Sequence, residues 1–184
     1  METRKISHRL GRALLAVVCG IVVVAAAPFL FFKFGSPPVA VADSPFPFEK
    51  PMVKIAIRAR INREMKQPPF EASEDVLESG AQIYRQVCSV CHGIPGHDSR
   101  YAKHMFPPPP QLWKKHGPKG AVGVSDDAPG FSRWVVDNGI RLTGMPSFRG
   151  VLSDTQIWQV SLLLKNADKN LPEPVSQILN APTP

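Results

Sequence analysis

Cysteine is scarce in this chain: three residues in 184, at positions 19, 88 and 91. Once Cys88 and Cys91 share a single site, Cys19 has no partner, and a framework of structural disulfides is excluded. A zinc site built on the same pair lacks its two further ligands, because His97, His104 and His116 are not closely paired. Net charge is also missing where a nucleic-acid-binding domain would need it. The formal +7 of the whole chain is spent near the N-terminus, with +3 over residues 1–32 and +5 over 50–66, while Gln67 to Pro184 carries 11 basic and 11 acidic side chains. The overall charge is therefore no argument for nucleic-acid binding. Ala13 to Phe32 lacks charge altogether. His97 to Lys119 lacks any sustained periodicity and holds a basic cluster of Arg100, Lys103, Lys114, Lys115 and Lys119.

What is present centres on Cys88-Ser89-Val90-Cys91-His92. Two thiols two residues apart, with histidine directly after the second, form the pattern for attaching haem c. One turn of backbone presents both sulfurs to neighbouring vinyl groups of a porphyrin, and the histidine is delivered beneath the iron as proximal ligand. The competing reading is a thioredoxin-like redox pair, which needs a preceding strand and a βαβ setting. The residues ahead of Cys88 read as a helix instead.

The uncharged run of 20 residues, Ala13 to Phe32, is long enough to cross a bilayer as a helix. Arg4, Lys5, Arg9 and Arg12 ahead of it orient the N-terminus to the cytoplasm and the rest outside. A cleaved signal peptide is the alternative, with Ala40-Val41-Ala42 as the cleavage-like triplet, although a signal core is typically only about 7–15 residues long. Gly35 to Lys50, broken by Pro37, Pro38, Pro45 and Pro47, reads as an extended linker. From Val53 to Ile61 apolar residues alternate with Lys54, Ala56, Arg58 and Arg60, the period of a strand. That arm either lies on the following domain with its basic side solvated, or offers an edge to a partner subunit or to anionic headgroups. Leu171 to Pro184 reads as a proline-punctuated tail.

Within the neutral part, Ser73 followed by Glu74 and Asp75 predicts a helix start, running to Tyr84 and delivering the haem motif at its C-terminal end. Gly80 inside that helix costs about 1 kcal/mol relative to alanine, which a close helix crossing would explain and mere tolerance would also allow. Prolines 107 to 110 must be extended and cannot donate hydrogen bonds. One of their carbonyls can accept from His92 Nδ1–H, or the run is a stiff loop over the haem edge. Pro129 to Asn138 predicts a short helix stopped by Gly139. The last helix opens on a capping box, Ser153 with Gln156.

The spacing Gly80, Tyr84, Cys88 resembles the N-terminal helix and haem motif of class I cytochromes c. Asn138-Gly139-Ile140-Arg141-Leu142-Thr143-Gly144-Met145-Pro146-Ser147-Phe148 resembles the sixth-ligand loop of monohaem cytochromes related to the haem subunits of cbb3-type oxidases. The resemblance covers about residues 73–168 and implies an all-α, cytochrome c-like haem domain behind one N-terminal transmembrane helix. The domain divisions expected are a basic tip and anchor (1–32), a proline-rich linker and basic arm (33–72), the haem domain (73–168) and a tail (169–184). The last helix is expected to cross the first, with Trp158 or its neighbours near Gly80. The resemblance further implies one covalent haem c on Cys88 and Cys91, ligated by His92 and by Met145. Met105 and His104 are rival sixth ligands. Arg141 is either a propionate contact or a solvated surface residue.

With both axial positions filled, the iron has no vacancy for substrate, so the expectation is electron transfer and not enzymatic catalysis. Expected partners are the lipid bilayer and redox proteins or subunits of a respiratory complex, with no nucleic acid. The expected location is the bacterial cytoplasmic membrane, single-pass, with the haem domain on the outer side. Three roles remain open: a tethered carrier, a fixed subunit of a larger complex, and a catalytic or sensory haem protein with a labile Met145.

Overall fold

A computed structural model describes residues 2–118 and 120–182, with the backbone alone for 2–10. Lys119 of the expected basic cluster, and the side chains of Arg4, Lys5 and Arg9, lie outside the described residues. The chain divides into two compact units, Met1–Pro47 and Phe48–Pro184.

In the first unit, α1 runs from Glu2 to Phe34, with Pro28 inside it. Its stretch Gly11–Phe34 spans 24 residues at a mean hydropathy of 2.8, and none of it is buried by protein. Apolar side chains exposed all round a helix of that length are stable in lipid and not in water. This single apolar N-terminal helix fits membrane anchoring. After it, Asp43 turns its carboxylate back to accept from the amides of Val39 and Ala40, both at 2.8 Å.

The second unit opens with α2, Glu49–Glu64. This corrects the strand expected over 53–61: the basic arm is a helix, and residues 49 and 50 belong to it instead of the linker. Arg and Ala between the isoleucines, with Met52 and Lys54 ahead of them, are strong helix formers. Ile57 and Ile61, four apart, turn to the same side, and Ile61 is fully buried. Trp134 Nε1 donates to the Glu64 carboxylate at 2.8 Å, and Arg60 lies over the Trp134 ring at 5.6 Å. The arm is therefore docked on the haem-motif domain, as one of the two sequence readings required.

The domain core is a crossing of α3 (Glu74–Ile83) and α6 (Asp154–Lys165), with α5 (Pro129–Asn138) packed on α6. The crossing is close because Gly80 allows it. A Cβ there would stand 2.5 Å from the backbone oxygen of Gln159 and 3.1 Å from Leu163 Cβ. The helix neighbours of Trp158 thus meet Gly80, while Trp158 itself is buried with the Arg133 guanidinium over its ring at 5.7 Å. The capping box at Ser153 forms in both directions.

Past Ile83 the chain widens into a π-type turn, Tyr84–Cys88, and then a short helix α4, Ser89–His92. Between α4 and α5 the long irregular stretch holds one 3₁₀ turn, Ala102–His104, and a two-stranded antiparallel ribbon of β1 (Lys115–His116) and β2 (Ala121–Val122). The supposed tail is not a tail. Glu173–Asn180 forms α7, which packs on α3 and buries Val175 and Leu179 almost completely. Pro172 at its N-cap and Pro174 inside its first turn start this helix instead of breaking it.

Candidate haem site

The π-type turn and α4 bring Cys88, Cys91 and His92 to one wall of a cavity of about 410 Å³. A wide turn at this point follows from the packing beneath it. Tyr84 is fully buried, donates its hydroxyl to Gly93 O at 2.7 Å and meets the edge of Trp113 at 5.5 Å. That bond ties the start of the turn to the residue after the motif. Burial pushes the Cys88 thiol up to about 12, helped by the neighbouring Cys91. Cys88, Cys91 and Cys19 are all free thiols.

His92 is fixed from behind. Its Nδ1 lies 2.8 Å from the carbonyl oxygen of Pro110, so the bound tautomer donates through Nδ1–H and leaves Nε2 for a metal. Burial lowers the pKa of this imidazole and the Pro110 carbonyl opposes that shift. The proline segment is itself anchored beside the motif. Leu112 N donates to His92 O at 3.1 Å, and Gln111 Nε2 reaches Cys91 O and Pro109 O, each at 3.2 Å. The proline run therefore does what one of its two readings required.

Met145 lines the same cavity, on the loop between α5 and α6, and so does Met105, whose methyl rests against Gly144. His104 and Arg141 are exposed and do not line the cavity. The methionine loop is internally bonded: Met145 N donates to Thr143 Oγ1 at 3.0 Å, and Ile140 N donates to Met145 O at 3.2 Å. Gly139, at φ +67°, is needed at its start, since a Cβ would stand 2.6 Å from the amide of Ser147. The rest of the lining is almost wholly apolar, with Leu112, Phe131, Val136 and Phe148 prominent. A second, polar surface hollow of about 540 Å³ also touches His92, edged by the exposed pair Lys114–Asp98. It gathers no comparable set of ligands.

Sequence reasoning did not find Arg149, which donates to the Asp137 carboxylate from Nε at 3.2 Å and Nη2 at 2.8 Å, just beyond the methionine loop. No local signal marks a pair twelve residues apart, one at the end of α5 and the other in the irregular segment that follows.

Two free thiols, an imidazole with one nitrogen held and the other available, and a thioether on the same apolar cavity fit a haem c. Together with the helix order around them they define a c-type cytochrome domain. Residues 75–162 match the family described as cytochrome c oxidase, cbb3-type, subunit III. This segment, from the second residue of α3 to the last turns of α6, is a cbb3-type cytochrome c haem domain. No curated protein matches the chain.

Proposed function

We propose that this protein transfers electrons through one haem c, joined by thioether bonds to Cys88 and Cys91 and ligated by His92 Nε2 and Met145 Sδ. The observation that carries the reading is the meeting of these four side chains on one apolar cavity, with His92 Nδ1 already committed to Pro110. When bound, the cofactor supplies a one-electron iron couple. The chain's own contribution is to hold and to exclude. Pro110 keeps the imidazole in one tautomer and orientation, and the apolar walls keep water from the ring. A neutral, soft thioether favours the ferrous state and so a relatively high potential. With His92 and Met145 both holding the iron, no position would be left on it for a substrate, which supports a carrier over an enzyme. Arg141, exposed and off the cavity, is a candidate for a propionate contact only.

The domain works at the outer face of a bacterial cytoplasmic membrane, held by α1, as a tethered carrier or as a haem subunit among other subunits of a respiratory complex. Support comes from the uncharged span and the basic residues that precede it in sequence.

The test is made on protein expressed with the c-type maturation machinery. The denatured chain on a gel is expected to keep haem-dependent peroxidase staining, and loss of the stain overturns covalent attachment. Met145→Ala is expected to abolish the thioether-to-iron charge-transfer band and lower the potential with the haem still attached. If Met105→Ala does this and Met145→Ala does not, the ligand lies on the other loop.

A further inference from the structure

The loop bearing Met145 leaves α5 and returns to it. Phe148 N donates to Val136 O at 3.0 Å, and Ser147 Oγ donates to Asp137 O at 2.6 Å. The departing and returning strands of chain also touch at Gly139, so the loop is pinched at a neck. Just past the neck, Arg149 reaches back across it. Besides its two bonds to the Asp137 carboxylate, its Nη2 donates to Asn138 Oδ1 at 2.9 Å. We propose that Arg149 and Asp137 are positioning residues: they clamp the neck of the methionine loop and so set how readily Met145 is displaced from the haem iron by an exogenous ligand. The proposal rests on the reading of Met145 as sixth ligand.

The two partners differ in a way that makes the clamp separable from the fold. The Asp137 side chain is only 10% exposed, and Arg133 also approaches it, at 3.4 Å. Arg133 is in turn held by Asp154 at the start of α6 and by the face of Trp158. Asp137 thus keeps a buried counter-charge whatever Arg149 does. The Arg149 side chain is 66% exposed, packs little, and spends its guanidinium on the last turn of α5. An exposed ion pair contributes little to stability, but charge-assisted bonds to a buried carboxylate in forked geometry are stronger. The loop needs such a hold. At its tip Leu142 sits at φ +62° with 91% of its surface exposed, a left-handed leucine with no packing to compensate the strain.

The experiment uses full-length holoprotein and imidazole as the probe. Imidazole nitrogen replaces the thioether sulfur on ferric iron with no change in electron count, at a rate limited by departure of Met145. Arg149→Ala is expected to raise that rate about three- to tenfold, since the charge-assisted bonds lost are partly exposed. Arg149→Lys is expected to restore part of the wild-type rate. Hydrogen exchange is expected to quicken at the amides of Ile140 and Phe148 and to stay unchanged in α3 and α6.

An unchanged imidazole rate in Arg149→Ala, with the charge-transfer band intact in wild type, overturns the clamp alone. Quickened exchange throughout α3 and α6 would make Arg149 a general structural residue and also overturn it. A wild-type protein without the band, together with a Met145→Ala variant that binds imidazole like wild type, overturns the ligation reading first and the clamp with it.

Discussion

Gly80→Ala sets two effects of opposite sign against each other. Alanine is the better helix former, and in an open helix the change would stabilise by about 1 kcal/mol. At this position the new methyl would stand 2.5 Å from Gln159 O, 2.9 Å from Gln159 C and 3.1 Å from Leu163 Cβ. Two of these are backbone atoms, which cannot rotate away, so α6 would have to retreat. That helix is held at its start by the Ser153 capping box and along its length by Ile157, Val160 and Leu163, all essentially buried. Overpacking a close-fitted contact costs about 1–3 kcal/mol, occasionally more, and here a backbone clash places it at the upper end. The steric term wins, with a net loss of about 1–2 kcal/mol. For a unit of the size of Phe48–Pro184 each kcal/mol moves the thermal midpoint by roughly 3–5 °C. Thermal unfolding of the holoprotein followed by circular dichroism should therefore show a midpoint lower by roughly 3–10 °C. A midpoint equal to or above wild type would refute the account of Gly80 as a crossing residue.

Two further outcomes follow from the packing and the charges. Leu179→Ala in α7 should destabilise the domain by about 2–5 kcal/mol in denaturant unfolding, because Leu179 is 1% exposed; a loss near zero would return residues 169–184 to the status of a tail. Asp137 has its pKa held below the usual 3.8, first by the hydrogen bonds from Arg149 and also by the charge of Arg133, against the opposing effect of burial. Its folded pKa lies below its unfolded one, so its contribution to stability is present above the ordinary aspartate range and is lost as pH falls through the depressed value. Thermal midpoints measured from neutral pH down to about pH 3 should fall less steeply in Asp137→Asn than in wild type, and parallel curves would contradict the assignment.

The features legible in the sequence were those with local causes. The haem motif is defined by covalent spacing. The helix at 129–138 is bounded by Pro129 and Gly139, and that at 154–165 by a capping box, each signal lying within a turn of the boundary it marks. Gly80 was legible as a question, and the structure answers it with a crossing helix. Alternation at 53–61 misled because a strand needs a partner strand. None is available there among the described residues, whereas α5 offers Trp134 as a long-range partner to Glu64. The helix α7 did leave a signal that the prolines obscured: Val175, Ile178 and Leu179 follow a helical i, i+3, i+4 pattern directly after Pro172 and Pro174. The Arg149–Asp137 pair left none, because it depends on where an irregular loop happens to return.

The docking of α2 leaves a short connection between α1 and the domain that carries the haem motif. Read from sequence, the extended linker runs from Gly35 to Lys50, ahead of the basic arm. In the structure only residues 35–48 lie between the end of α1 and the start of α2, and Asp43 folds part of that stretch into a turn. Fully stretched, fourteen residues reach at most about 50 Å. The volume explored by a flexible tether grows roughly as the three-halves power of its length, so under the proposed anchoring a connection this short would hold the domain at raised effective concentration near its point of attachment. Under the proposed function, a redox partner fixed in the same membrane within that radius would meet the haem far more often than a distant one. Lengthening this stretch with glycine and serine would trade encounter frequency for range, without touching the haem site.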